Sequence, residues 1–191
     1  MAEPHAIEIG AQRMVDGMFE LFDELGDLAL NRVVRLTRDL EGGFNPTLVT
    51  PDNVNRFKLT WFTAFGELMF HEMEGSRVPQ AEAAFWDEIA YQANERDEAT
   101  FFADIRARLA AAIEEDAGYL TDGVFNQPKK NGGEGRNSGL GVSLAALLAE
   151  VSFADNRALA PVMARVRETV EDELINAYGH ATIACGRFRV V

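Results

Sequence analysis

The chain has 191 residues, enough for one well-buried domain and tight for two full-sized ones. Apolar residues make up 47% and charged residues 26%, the balance of a globular chain rather than a disordered one. With 18 Lys and Arg against 31 Asp and Glu the net charge is −13, so attraction to phosphate backbones or anionic lipid is opposed over most of the surface and bulk nucleic-acid binding is disfavoured.

The first ten residues, MAEPHAIEIG, carry acids where a secretory signal carries cations. No apolar run approaches the length of a membrane span, so neither export nor insertion is expected. From residue 14 onward, Met14, Met18, Leu21, Leu25, Ala29, Val33, Leu36 and Leu40 recur at steps of three and four, which predicts a long helix over 16–40. Its polar face has acids early (Asp16, Glu20, Asp23, Asp27) and bases late (Arg32, Arg35, Arg38), as the helix dipole favours, and Gly42 and Gly43 supply a stop.

NPTLVT then leads into a second helix over 51–73, with Thr50 as N-cap and Pro51 at the first helical position. Its stripe of Val54, Phe57, Trp61, Phe65 and Leu68, widened by Phe62, Met69 and Met73, predicts a helix at the centre of the core. Pro79 opens a third helix bearing Phe85, Ile89 and Ala93, and a fourth is expected over 97–117 with Phe101, Phe102, Ile105, Leu109 and Ile113 aligned. The short link between these two predicts an antiparallel pair. Leu140, Leu144, Leu147, Leu148 and Val151 form a short stripe. Pro161 opens or kinks a last helix carrying Met163, Val166, Val170, Leu174 and Ala177, with Gly179 as its cap. The tail alternates polar and apolar residues and reads as a strand, for which NPTLVT is the plainest partner. The expectation is a mainly α, single-domain bundle of five or six helices over 1–191, with a flexible Gly-rich loop at 126–139 and an extended tail at 181–191.

The Gly-rich loop invites two functional readings beside that of a plain connector. Gly133, Gly135, Ser138, Gly139 and Gly141 offer backbone N–H groups and a hydroxyl to a phosphate-type anion at the start of the next helix. The stretch lacks the Gly-Lys-Ser/Thr of a P-loop and the dinucleotide fingerprint. SGLGVSLAALLAE resembles the last glycine box of histidine-kinase ATPase domains, where Gly-Leu-Gly leads into a helix. That family's Asp-x-Gly-x-Gly box, its Asn-bearing helix and the strands of its fold are not matched, so the resemblance is set aside. Residues 126–143 also hold Lys129, Lys130 and Arg136 against a single acid, Glu134, in an acidic chain; a basic arm of this kind suits the acidic face of a neighbouring copy or another partner. Arg187, Phe188 and Arg189 in the tail suit a partner's sheet edge.

Other clusters read more simply as structure. Glu67 and His71 lie one helical turn apart, yet a di-iron bundle needs Glu-x-x-His on two helices. All-α nucleotide pyrophosphohydrolases use paired acidic helix motifs, and Glu20/Asp23 and Glu168/Glu171 have that spacing; in a chain with 31 acids both matches are expected by chance, so solvated faces are the preferred reading. His180 and Cys185 have no assignable oxyanion donor or orienting acid. Cys185 is the only cysteine and the histidines, His5, His71 and His180, match no zinc spacing, which points to a reducing, cytoplasmic setting and to no metal or cofactor. The function expected is a non-enzymatic interaction or self-assembling subunit, binding protein partners, copies of itself included. The competing expectation is a small-molecule enzyme or sensor with an anion at the Gly-rich loop or a divalent metal between acidic helices.

Overall fold

Helix α1 (Ala11–Leu40) begins one turn earlier than its charge pattern suggests, because Met14 and Val15 are buried and Met14 N–H already bonds to Gly10 O at 3.1 Å. The computed structural model describes residues 7–40, 49–72, 79–115, 140–153, 155–185 and 188–190. It is a mainly α bundle of six described α-helices: α1, α2 (Pro51–Glu72), α3 (Pro79–Glu95), α4 (Ala99–Glu115), α5 (Leu140–Phe153) and α6 (Met163–Cys185). A 3-10 helix (Arg157–Val162) precedes α6 and contains Pro161, whose missing N–H is least costly in such a tight connector.

The central element is α2, which packs against each of the five other described helices. Its aromatic residues carry the core: Phe57, Trp61, Phe65 and Phe70 are all fully buried, and Phe57 stacks on Phe153 of α5 with ring centroids 5.9 Å apart. Buried hydroxyls need partners, and those of Thr60 and Thr63 turn back onto Arg56 O and Leu59 O, each at 2.7 Å. Two glycines let neighbouring helices approach. Gly26 of α1 faces the Trp61 indole, and Gly66 of α2 faces the Phe85 and Trp86 rings of α3.

The start of α2 is fixed by a reciprocal cap. Asn53 N–H bonds to the Thr50 hydroxyl at 3.2 Å, and Thr50 N–H bonds to Asn53 Oδ1 at 3.2 Å. The buried Asn53 amide also donates to Ser152 O at 2.9 Å and accepts from Asn156 Nδ2 at 2.8 Å, tying α2 to the end of α5. α3 ends in a Schellman motif. Asp97 adopts φ 59°, Glu98 N–H bonds to Ala93 O at 2.7 Å and Asp97 N–H to Asn94 O at 3.1 Å, so the chain turns within three residues into α4.

Three expectations need correction. The described strand partner of the tail is β1 (Ile7–Ile9), which pairs in parallel with β2 (Phe188–Val190), with Glu8 opposite Arg189, while residues 45–48 of the expected partner lie outside the described residues. The last helix does not stop at Gly179 but runs through the first part of the expected tail to Cys185, since buried Tyr178 and Ala181 continue its inner face and offset the cost of a mid-helix glycine, about 1 kcal/mol. On α1 the fully buried centre is Phe22, while Leu21 and Leu25 are only half-buried; α1 packs against α2, α3 and α6 at once, which widens its apolar stripe beyond one line. The stop at Gly42 and Gly43, Met73 and the loop at 126–139 lie outside the described residues.

Candidate functional site

Ion pairs stitch the helices in small groups rather than in one network. Arg56 of α2 meets Asp155 at 2.7 Å and Glu98 at 3.4 Å, and the Asp155 hydrogen bond, with Glu98, holds its guanidinium above the ordinary arginine value against the opposing effect of burial. Arg106 of α4 lies 2.9 Å from Glu67 and 3.8 Å above the Trp86 ring. Glu173 of α6, almost fully buried, has Oε1 2.6 Å from Arg32 Nη1; this is a charge contact without the alignment of a hydrogen bond. Glu67 is thereby engaged by Arg106, and the side chain of His71 lies outside the described residues.

An open groove of about 350 Å³ lies between α1, α2 and α3. Its floor is apolar: Phe19, Leu59, Phe62 and Ile89, with Phe19 stacked on Phe62 at 5.2 Å and braced by Phe85 at 5.0 Å. Glu20 and Asp23 form the α1 wall, Gln92 and Arg96 stand at the α3 side, and Lys58 rises from α2. Lys58 Nζ is 2.8 Å from both Asp23 Oδ1 and Asp27 Oδ1. Partial burial lowers the ammonium's pKa, yet the hydrogen bonds and charges of Asp23 and Asp27 outweigh it and hold the group above its ordinary value. At neutral pH Lys58 is therefore a bound cation and not a free amine nucleophile or base.

Among the described residues the groove's lining includes no His, Cys, Ser or Thr, so they offer acids, a paired ammonium and an arginine, but no nucleophile with a base beside it. Of the two acidic pairs with Glu-x-x-Glu/Asp spacing, Glu20 and Asp23 line the groove, whereas Glu168 and Glu171 on α6 do not. Among the described residues no three His, Cys, Asp or Glu side chains come within reach of one metal ion. His180 is exposed on α6, and the Cys185 side chain lies outside the description.

Of the residues singled out for partner or anion binding, Lys129, Lys130, Gly133, Gly135, Arg136, Ser138, Gly139 and Arg187 lie outside the described residues. Gly141 sits in the first turn of α5, and Phe188 and Arg189 are in β2. Sequence reasoning missed Lys58, Gln92 and Arg96 as a group. One signal was present: Lys58 is the only lysine on α2, in a run that is otherwise mostly apolar, and Asp23 and Asp27 share one face of α1 at i and i+4.

Comparison with protein families, curated proteins and solved structures finds no match to this chain. No helix among the described residues is long and apolar enough to cross a membrane.

Proposed function

We propose that the chain is a non-enzymatic, protein-binding subunit of a multi-chain assembly, acting in the cytoplasm. The observation that carries this reading is the character of the α1–α3 groove: an apolar floor, charged walls, and a lysine already neutralised by two aspartates. Such a surface suits the side chains of another polypeptide, since interaction patches combine an apolar centre with a polar rim. A volume near the lower end of the usual ligand-pocket range of about 300–1,000 Å³ suits one or two inserted side chains better than an enclosed cofactor.

The basic stretch with Lys129, Lys130 and Arg136 and the tail with Arg187, Phe188 and Arg189 supply further contacts, to copies of the chain or to other subunits. The test is light scattering after size-exclusion chromatography at low and at high salt, with and without a basic protein partner. Salt-sensitive growth in mass supports the reading. A chain that stays monomeric throughout and is stabilised by Mg²⁺ with a nucleotide overturns it in favour of a small-molecule enzyme or sensor.

A further inference from the structure

We propose that the α1–α3 groove docks a cationic segment of a different protein, with a large apolar side chain on the Phe19, Leu59, Phe62 and Ile89 floor and Lys or Arg side chains along the α1 wall; this rests on the protein-binding reading above. Charge selects that occupant. Residues 11–27 of α1 carry Asp16, Glu20, Asp23, Glu24 and Asp27 against one Arg13, and every one of those acids is exposed. α3 forms the other wall and has four acids and no Lys or Arg.

Lys58 is committed to Asp23 and Asp27, which leaves Arg96 as the one groove cation without an ion pair among the described residues. Glu20 and Glu24 likewise make no ion pair among the described residues and remain available to an incoming cation. A free small anion meets more negative than positive charge there. The body of a second copy carries the same excess of acid, a net −13 over the chain, and is repelled. The floor demands an apolar group as well, because charge alone leaves Phe19 and Phe62 facing water.

The binding is read by fluorescence anisotropy on the intact chain, using a labelled amphipathic Lys/Leu peptide of about 14 residues, long enough to lay an apolar helix face into a groove. Two control peptides accompany it, one with Leu replaced by Ser and one with Lys replaced by Glu. The Lys/Leu peptide is expected to bind and to weaken about tenfold or more as salt rises from roughly 50 to 500 mM, while both controls bind at least about tenfold more weakly. Glu20→Lys with Glu24→Lys should weaken binding about tenfold, and Arg96→Glu should tighten it about threefold, a gain that misfolding does not produce. Asp104→Lys with Glu150→Lys makes the same charge change on α4 and α5, outside the groove, and should shift the affinity by no more than about twofold.

Equal losses from the groove and the outside pair, or equal binding of the Ser-substituted peptide, overturn the proposal. So does a chain that fills the groove by self-association broken by Glu20→Lys and Glu24→Lys. If groove variants change nothing while the chain still assembles through another surface, the groove fails and the protein-binding reading stands. If no polypeptide binds and Mg²⁺ with nucleotide stabilises the chain, both fail together.

Discussion

A methyl group on Gly66 would sit 2.7 Å from Trp86 Cη2 and closer still to Phe85, where rings and not flexible chain ends fill the space. Gly66→Ala is expected to destabilise by about 1–2 kcal/mol net, because overpacking outweighs the gain of about 1 kcal/mol in helix propensity. At Gly26 the nearest atom is Trp61 Cδ1 at 3.0 Å, so Gly26→Ala should come out milder. Denaturant unfolding of the two variants checks the order. Lys58 offers a pH test. Its pKa is raised in the folded chain, so its stabilisation is full below the ordinary lysine value of 10.5 and is lost as pH climbs through the folded value. Lys58→Met should therefore cost about 1 kcal/mol at neutral pH, and on the alkaline side the difference from wild type should shrink only in strong alkali. None of these close approaches was legible in the sequence, since a glycine in a helical stripe does not say which neighbour needs its bare face.

At the scale of elements, the reading from periodicity found the buried stripes of α6 and α3. The stripe Val166, Val170, Leu174 and Ala177 is buried as spaced, and Phe85, Ile89 and Ala93 are as well. It was incomplete on α1, where Phe22 is the fully buried centre, and it had no means of choosing a strand partner across nearly the whole chain. Caps were legible: Thr50 and Pro51 start α2 as their chemistry requires. The reach of Asn53 was not, because its partners Ser152 and Asn156 are distant in sequence. Thr50→Ala should cost about 1 kcal/mol, the usual worth of a cap. Asn53→Ala should cost about 2–3 kcal/mol, since it strands buried hydrogen-bonding groups as well. The double variant should lose less than the sum, which thermal unfolding of the set of four proteins would reveal.

Over the whole molecule, composition predicted an acidic globular chain and periodicity a mainly α bundle, and a bundle of six described helices around α2 is what the chain builds. The groove was not legible, because its floor comes from three helices and its walls from charges that look in sequence like ordinary solvated faces. Glu20 and Asp23 belonged to a pattern suggestive of metal binding, yet the fold sets them beside Lys58 and away from any third described ligand. What the molecule then offers is an acidic surface with an apolar slot, which we propose as a surface for another polypeptide.

The most direct measurement of that claim is the unfolding temperature of the intact chain with three additions in turn: Mg²⁺ with a nucleotide, inorganic phosphate, and the Lys/Leu peptide at low and at high salt. The account expects the peptide to raise the unfolding temperature at low salt and to lose that effect at high salt, with the small ligands leaving it unchanged. A rise with Mg²⁺ and nucleotide or with phosphate, and none with the peptide, would contradict it.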